Sequence, residues 1–326
     1  MATLADVAAQ AGCSQATASR ALTKSGKVSE KMVRRVVKAA VELGYRAPFG
    51  ASGTSSRRRA VVGVLIPSIT NPVFATSVSV IQNRMLMAGH RVLIALSNYD
   101  PAQEADAIAT LLVERPAGLI LTLCNPGLDL AVSGEMPHVV LMNNRPSERF
   151  PAAVAADNHA AGFVMTRHLI EHHHRSILFV SGSFASSDRA LQRYAGYRAM
   201  MEKAGLQPLE ALEVGFGDYD GLDLGEALRI ARPTAIIASN DLLALGVIGA
   251  LRRDGLSVPD DISVAGFDGI AIGRMINPVL TTIEMPDVSI GAAAASLLLD
   301  MADNGAAPRH LEIPFSLRAG GTVRRL

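Results

Sequence analysis

The segment that begins at Gln15 carries hydrogen-bonding side chains of the kind that contact DNA. Gln15, Thr17, Ser19 and Arg20 lie close together in the sequence. Amide and guanidinium groups can bond to the edges of bases, and hydroxyl groups can bond to phosphates. These residue types predict a helix that contacts DNA. The alternative interpretation is an ordinary helical hairpin whose second helix has a solvated polar face.

Two short helices joined by a sharp turn are predicted to position this segment. Thr3 can cap a first helix, in which apolar side chains recur at three- and four-residue steps at Leu4, Val7, Ala8 and Ala11. Gly12 suits the turn because glycine adopts a left-handed backbone conformation at little cost. Ser14 can cap a second helix over residues 15–22. This arrangement is typical of a helix-turn-helix motif.

A strongly basic N-terminal region favours a nucleic-acid partner. Residues 1–60 contain 11 Lys or Arg against three acidic residues, whereas residues 61–326 carry a net charge of −7. A third helix is predicted between Ser29, which can cap it, and Gly44, which can end it. We therefore predict a helix-turn-helix DNA-binding domain at 1–46 and a linker rich in Gly, Ser and Arg at 47–60.

The chain from residue 61 onward alternates short apolar runs with amphipathic stretches, and this pattern restarts after Asp157. Such runs predict parallel strands that helices cover on both faces. The predicted strands cover 61–66, 91–96, 118–123, 138–142, 176–180, 210–214, 235–238, 262–267, and segments near 309–315 and 318–323. The predicted helices cover 72–88, 102–114, 159–172, 189–204, 220–230, 241–253 and 288–301. We expect two similar lobes, with a ligand-binding cleft where the carboxyl ends of the strands face each other.

The sequence argues against a transmembrane segment, a cofactor-binding site and a metal site. No apolar run reaches the about 20 residues needed to span a bilayer. The N-terminus lacks a signal-peptide layout and the two cysteines are far apart, so we expect a reduced, cytoplasmic protein. We find no P-loop, dinucleotide-binding glycine motif or GxSxG elbow, and the adjacent histidines at 172–174 would point in different directions. We expect no catalytic residue, cofactor or metal. A sugar-binding protein or sugar-metabolising enzyme without DNA function stays the alternative.

Several segments in a fixed order resemble the lactose-repressor (LacI/GalR) family of bacterial transcription regulators along essentially the whole chain. They are TLADVAAQAGCSQATASRAL, VSEKMVRRVVKAAVELGYR, VGVLIPSITNPVF, QRYAGYRAMMEKAG, ASNDLLALG, VPDDISVAGFDG and PVLTTI. The resemblance implies an α/β protein in which an N-terminal all-α helix-turn-helix DNA-binding domain precedes a two-lobed, periplasmic-binding-protein-like core with parallel sheets. This core at 61–326 would form lobe 1 from about 61–157 and 285–316, and lobe 2 from about 158–284 and 317–326.

The resemblance also implies a sequence-specific transcriptional regulator, most often a repressor, that binds double-stranded DNA. A small molecule bound between the lobes would control its affinity for the operator. Sugars, sugar acids and nucleobases occur as ligands of relatives, and a sugar or sugar acid suits the charged residues expected in the cleft. No heptad repeat follows the last predicted strand, and two recognition helices must contact two palindromic half-sites, so a homodimer is expected.

The resemblance transfers functional roles to matching positions of this sequence. Gln15 suits an adenine edge, Ala16 can pack on a thymine methyl, and Arg20 would donate to a guanine or anchor the helix. The expected DNA-contacting residues are Thr3, Ser14, Gln15, Ala16, Thr17, Ser19, Arg20, Ser29, Arg57, Arg58 and Arg59. The expected effector-binding residues are Asn71, Phe74, Arg193, Tyr219, Asn240 and Asp268. Asn71 could equally cap the helix that follows it, and Asp241 could act as a helix cap or as a ligand contact.

The linker departs from the family pattern. Relatives usually carry a hinge helix with an Ala-Arg-x-Leu-type sequence, whose Leu enters the minor groove at the operator centre. That position falls on Thr54 here, between Gly50 and Gly53. Each glycine costs up to about 1 kcal/mol relative to alanine in a helix. We therefore predict that this wedge is lost and that the arginines at 57–59 replace it by electrostatic contact.

Overall fold

The computed structural model describes residues 2–23, 28–45, 60–127, 136–217 and 219–326. The chain divides into two compact units, residues 1–58 and 59–326. The predictions for the hinge helix, for Thr54 and its flanking glycines, and for the arginines at 57–59 lie outside the described residues.

Three helices were found in the described part of the N-terminal unit: α1 (Leu4–Gln10), α2 (Gln15–Thr23) and α3 (Glu30–Glu42). The predicted caps are confirmed at all three N-termini. The hydroxyl oxygens of Thr3, Ser14 and Ser29 each accept a hydrogen bond from the backbone N–H group three residues later. Each cap satisfies a backbone donor that has no partner inside its helix.

Small side chains allow these three helices to cross closely. The buried apolar residues are Val7, Ala8, Ala11, Ala18, Ala21, Val36, Ala39 and Ala40. Arg35 of α3 donates from Nη2 to the carbonyl oxygen of Ala11 at 2.5 Å. The next residue, Gly12, has a φ of 60°, as the predicted turn requires. One arginine of the basic region therefore holds the turn of the motif in place.

Twelve strands were found in the described part of the second unit: β1 (Val61–Ile66), β2 (Arg91–Leu96), β3 (Gly118–Leu121), β4 (His138–Met142), β5 (Ala153–Ala155), β6 (Ile177–Gly182), β7 (Leu212–Val214), β8 (Ala235–Ala238), β9 (Ser263–Asp268), β10 (Thr281–Glu284), β11 (His310–Glu312) and β12 (Ser316–Arg318). They form two six-stranded sheets, ordered β11-β5-β4-β3-β1-β2 and β12-β10-β9-β8-β6-β7. The pairings are parallel except that of β12 with β10.

Helices cover both sheets: α4 (Pro72–Met87), α5 (Pro101–Val113), α6 (Asn158–Glu171), α7 (Asp188–Lys203), α8 (Gly225–Ala231), α9 (Asp241–Arg253) and α10 (Asp287–Asn304). We name the part around the first sheet lobe 1 and the part around the second sheet lobe 2. The chain passes between the sheets after β5, after β10 and between β11 and β12. Helix α10 packs on α4 and β4, so it belongs to lobe 1.

The sequence pattern and the structure differ mainly in short strands. Strand β5 was not predicted, because three residues are too few to show a period. The predicted strand 210–214 shortens to β7, and the helix predicted at 220–230 begins at Gly225. The strand predicted near 309–315 shortens to β11, and the strand predicted near 318–323 lies earlier, at β12. Strand β2 is an edge strand with partly exposed side chains, and α4 and α5 both pack against it.

Candidate functional site

The helix-turn-helix unit exposes most of its candidate DNA-contacting residues. The exposed ones are Thr3, Ser14, Gln15, Ala16, Arg20 and Ser29, whereas Thr17 and Ser19 are partly buried. The hydroxyl oxygens of Ser14 and Thr17 lie 2.9 Å apart. The first residues of α2 therefore combine an amide, a methyl group, hydroxyls and a guanidinium on an accessible helix start, which suits contact with a groove and its phosphates.

A cavity of about 50 Å³ between the lobes collects most of the candidate effector-binding residues. It is lined by Asn71, Phe74, Arg193, Asn240 and Asp268. Tyr219 instead lines a neighbouring cavity of about 430 Å³, and its hydroxyl accepts a 3.3 Å hydrogen bond from Nδ2 of Asn240. Ligand sites usually measure about 300–1,000 Å³. The cavity between the lobes is therefore smaller than a usual ligand site, and the two lobes lie in a closed arrangement.

Two aromatic rings from opposite lobes close this cavity. Tyr99 follows β2 in lobe 1 and stacks on Phe216, which follows β7 in lobe 2. The ring of Phe216 lies over Gly182, where a Cβ atom would come within 2.3 Å of it. The hydroxyl of Tyr99 accepts a 3.1 Å hydrogen bond from Nδ2 of Asn71, and burial raises the pKa of Tyr99 to about 12. Tyr99 therefore stays protonated at neutral pH.

Arg193 is buried and makes three hydrogen bonds to the protein through its Nε and Nη1 atoms. Its Nε atom donates to Oδ1 of Asn158 at 2.8 Å, and its Nη1 atom donates to the carbonyl oxygen of Ser239 at 2.6 Å and to Oδ1 of Asp268 at 3.1 Å. The guanidinium also lies 4.8 Å from the ring centroid of Phe267. Arg193 thus connects α6 and α7 with the ends of β8 and β9, and it holds the carboxylate of Asp268 at the cavity wall.

Two glycines set the position of Arg193. Helices α6 and α7 cross at Gly162 and Gly196, where the two backbones meet directly. A Cβ atom on Gly162 would lie 2.0 Å from the carbonyl oxygen of Arg193, and one on Gly196 would lie 2.0 Å from the carbonyl oxygen of His159. Neither contact leaves room for a methyl group, so this close crossing fixes the distance between Asn158 and Arg193.

Three aspartates approach one another at the lobe junction. Asp241 is buried, and its carboxylate accepts from the hydroxyl of Thr282 at 2.6 Å and from the backbone N–H of Ile270 at 2.9 Å. Burial, together with the charge of Asp268, raises the pKa of Asp241 to about 7. Burial and the charge of Asp268 also raise the pKa of Asp287 to about 8. Carboxyl groups here are therefore partly neutral near physiological pH.

A second polar cluster, the interlobe cluster, joins lobe 1 to the start of α7. The backbone N–H of Asp188 donates to the carbonyl oxygen of Cys124 at 2.7 Å, and its carboxylate accepts from Nδ2 of Asn144 at 2.9 Å. Nη1 of Arg189 donates to that carboxylate at 3.1 Å and to the carbonyl oxygen of Leu123 at 2.8 Å. Burial raises the pKa of Asp188, although the charge of Arg189 opposes this. These contacts stabilise the closed arrangement of the lobes.

The sequence analysis did not identify several further lining residues, among them Tyr99, Asn143, Arg189, Phe216 and Asp287. Three of them follow a strand directly or closely, namely β2, β4 and β7. The rule that ligand-binding residues lie at the carboxyl ends of parallel strands could have found these three. Arg189 and Asp287 lie in the first turns of α7 and α10, and no local sequence pattern marks them.

The three successive histidines have separate partners. His172 lies 2.8 Å from the carbonyl oxygen of His168, His173 accepts from Nε of Arg325, and His174 contacts Thr234 and Arg324. Within the described ranges, no group of three His, Cys, Asp or Glu side chains is arranged to hold a metal ion. In the same ranges, no helix has the length and apolarity needed to cross a membrane.

Comparison with known proteins places both units in one family. Residues 3–47 match the bacterial regulatory proteins of the lacI family, and residues 166–323 match a periplasmic binding protein-like domain. The transcriptional regulator GalR of Escherichia coli K12 is 32% identical over 94% of this chain and 91% of its own length. The chain belongs to the LacI family. GntR of the same organism is also 32% identical, over 98% of both chains.

Solved structures of LacI family proteins share the whole fold. A LacI family regulator from Silicibacter pomeroyi matches with a TM-score of 0.78 at 25% identity over 100% of both chains. The lac repressor dimer bound to operator and the anti-inducer ONPF matches with a TM-score of 0.73 at 26% identity over 99% of both chains. The predicted fold class is therefore confirmed, and this LacI family member is a DNA-binding transcription regulator. The curated relatives named above are regulators rather than enzymes.

Proposed function

We propose that this LacI family protein is a homodimeric repressor of a palindromic operator, and that a sugar or sugar acid in the interlobe cavity controls its DNA affinity. Residues 1–46 contact DNA, residues 61–326 bind the effector and dimerise, and residues 47–60 connect the two. The observation that carries this proposal is the cavity, which charged and amide side chains of both lobes line.

The contacts between the two lobes explain how a ligand would change the DNA affinity. Tyr99 with Phe216, and Asn144 with Asp188, join the lobes in the closed arrangement. A molecule that fits between the lobes must replace or strengthen some of these contacts, so it binds the open and closed arrangements with different affinities. Such a difference shifts the population of the DNA-competent arrangement. The lac repressor, which was solved with operator and an anti-inducer, supports this view by similarity.

The dimer is proposed to form along the edge of lobe 1. Strand β2 lies at the end of its sheet, and it leaves Ile94 40% and Leu96 37% exposed. Leu86 and Met87, at the end of α4, are also exposed. A second copy would cover this apolar edge, and a palindromic operator requires two recognition helices. The solved operator complex of the lac repressor is a dimer as well.

The test is direct selection of DNA with the full-length protein. Repeated binding to a random-sequence library should enrich a palindrome with two half-sites. Fluorescence anisotropy with that sequence then measures the Kd in the presence of sugars, sugar acids and sugar phosphates. An effector should change this Kd by about tenfold or more. If no sequence is enriched even at low salt, the protein does not act on DNA, and the alternative of a sugar-binding protein gains support.

A further inference from the structure

Arg189 presents unused hydrogen-bond donors to the cavity between the lobes. It is only 7% exposed and lines this cavity. Its Nη1 atom donates to Leu123 and Asp188, but the buried Nη2 atom has no partner among the described residues. A guanidinium has five N–H donors in one plane, and a buried donor without an acceptor is destabilising. The guanidinium of Arg189 is therefore held through Nη1, and its Nη2 atom is available to a ligand.

Asn143 offers a second unused donor from the opposite lobe. It follows β4 with a φ of 64° and lines the same cavity. Its Nδ2 atom is buried and, within the described ranges, lacks a hydrogen-bond partner. A donor from lobe 1 and a donor from lobe 2 thus face one cavity, and an acceptor group placed between them would join the lobes.

The other charged groups of the cavity are used differently. The Nε and Nη1 atoms of Arg193 already donate to Asn158, Ser239 and Asp268. The carboxyl group of Asp287 lines the cavity, and no side-chain hydrogen bond to it occurs among the described residues. Carboxyl oxygens accept hydrogen bonds from hydroxyl groups. Among the described residues, the cavity therefore combines donors without partners at Arg189 and Asn143 with an acceptor without a partner at Asp287.

We infer that the effector is a polyhydroxy carboxylic acid, whose carboxylate binds Nη2 of Arg189 and Nδ2 of Asn143 while its hydroxyls bond to Asp287 and Asp268. This inference rests on the proposed function, since it assigns a ligand class to the same cavity. Since Arg189 and Arg193 are already paired with Asp188 and Asp268, the ligand is held by hydrogen bonds rather than by net positive charge. A monoanion then fits better than a phosphate dianion, because its desolvation costs less free energy. A dianion would meet no further positive charge among the residues that line this cavity.

The first experiment compares matched ligands on the full-length protein. Gluconate, galactonate, glucuronate and galacturonate are each tested beside the corresponding aldose, the corresponding alditol and the sugar 6-phosphate. At least one acid should raise Tm by several degrees at about a hundred times its Kd. Its uncharged counterparts should bind at least about a hundredfold more weakly by calorimetry, because they leave the two donors unpaired. Equal binding of neutral sugars, preference for phosphates, or no binding of any acid would overturn the inference.

Asn143→Asp is the decisive variant. It keeps the size of the side chain and tolerates the left-handed backbone, but it places a carboxylate against the carboxylate of the ligand. Affinity for the acid should fall at least about fiftyfold, and Arg189→Gln should lower it as well. Asn98→Asp is the matched control. Asn98 also has a positive φ, of 52°, and it is exposed and donates to Gln103.

The control should bind the acid as the parent protein does, and unchanged binding by Asn143→Asp would exclude the assigned contact.

Operator binding separates this inference from the proposed function. If a neutral sugar changes the operator Kd, the regulator function stands and the carboxylate assignment falls. If the acid binds but no ligand changes the operator Kd, the assignment stands and the effector control proposed above falls.

Discussion

Tyr99 and Phe216 stack across the lobe junction with their ring centroids 4.1 Å apart and their planes 3° apart. Each ring follows a strand of a different sheet, so this contact joins the two lobes at the wall of the cavity. Stacked aromatic pairs contribute about 0.5–1.5 kcal/mol beyond the area they bury. This is small enough for a ligand to displace, and large enough to favour the closed arrangement without one.

Removal of this contact should open the protein. We expect Phe216→Ala to lower the stability of the closed arrangement by about 1–3 kcal/mol, since stacking and burial are both lost. Small-angle X-ray scattering should then show a larger radius of gyration. Phe184→Ala is the control, because Phe184 stacks on Tyr194 within lobe 2. A radius of gyration equal to that of the parent protein would contradict the proposed role of Phe216.

The helix crossing at Gly196 should tolerate no side chain. Gly196→Ala places a Cβ atom 2.0 Å from the carbonyl oxygen of His159, so α6 and α7 must move apart. Such overpacking costs about 1–3 kcal/mol, which for a unit of this size lowers Tm by several degrees. Gly249→Ala within α9 is the control, since its nearest neighbour would be Arg253 at 3.8 Å.

The control variant should be neutral or more stable than the parent protein, because alanine favours the helix by up to about 1 kcal/mol. The variants should also differ in ligand response. Displacement of α7 moves Arg193 away from Asp268, so Gly196→Ala should respond to effector less than Gly249→Ala does. Equal melting temperatures for Gly196→Ala and the parent protein would show that α6 and α7 can move apart without loss of stability.

Asp287 should make stability depend on pH. Burial and Asp268 raise its pKa to about 8, while Asp241 acts in the same direction and Arg193 opposes it. The protonated form is thus favoured in the folded protein. Its contribution is fully present below the ordinary pKa of an aspartate, near 4, and is lost as the pH rises through about 8.

Asp287→Asn removes this titration and stays neutral at every pH. Thermal denaturation should give similar Tm values for the variant and the parent protein near pH 4, and a Tm several degrees higher for the variant near pH 9. Asp106→Asn, at an exposed position of α5, should parallel the parent protein throughout. If the difference in Tm between Asp287→Asn and the parent protein stayed the same from pH 4 to pH 9, the titration of Asp287 could not be its cause.

The edge of lobe 1 should carry the dimer. Ile94→Lys puts a charge on the exposed apolar face of β2, and burial of an unpaired charge in an interface costs several kcal/mol. Analytical ultracentrifugation should show a monomer, and operator binding should weaken at least about a hundredfold because one half-site contact is lost. Ile230→Lys is the control, since Ile230 is an exposed residue of α8 in lobe 2. A dimeric Ile94→Lys protein would locate the interface elsewhere.

The start of α2 should supply both affinity and selectivity for DNA. We expect Arg20→Ala to weaken binding to the selected operator by about 1–3 kcal/mol and to lower its preference over random DNA. Arg34→Ala removes a similar charge from α3, where Arg34 pairs with Glu30 at 3.2 Å. That variant should leave the preference intact. Equal loss of affinity on operator and random DNA for Arg20→Ala would limit Arg20 to phosphate contact.

Local features of the sequence predicted much of the fold. The caps at Thr3, Ser14 and Ser29 involve residues three positions apart, and the long apolar strands and helices follow from short-range periodicity. The family resemblance assigned Asp268 to the effector site, and the structure places it at the end of β9 in the cavity wall. Short strands such as β5 escaped prediction, because pairing with neighbouring strands, rather than their own composition, makes them strands.

The sequence by itself determined the helix-turn-helix unit, the two sets of alternating strands and helices, and the LacI resemblance. Only the tertiary structure decided which side chains of the cavity are free. The stacking of Phe216 on Tyr99 and the hydrogen bonds of Arg193 depend on residues far apart in the chain. The same holds for Nη2 of Arg189, which has no partner among the described residues. Hydrogen bonds and packing between such residues depend on how the two lobes meet, and no local pattern records that geometry.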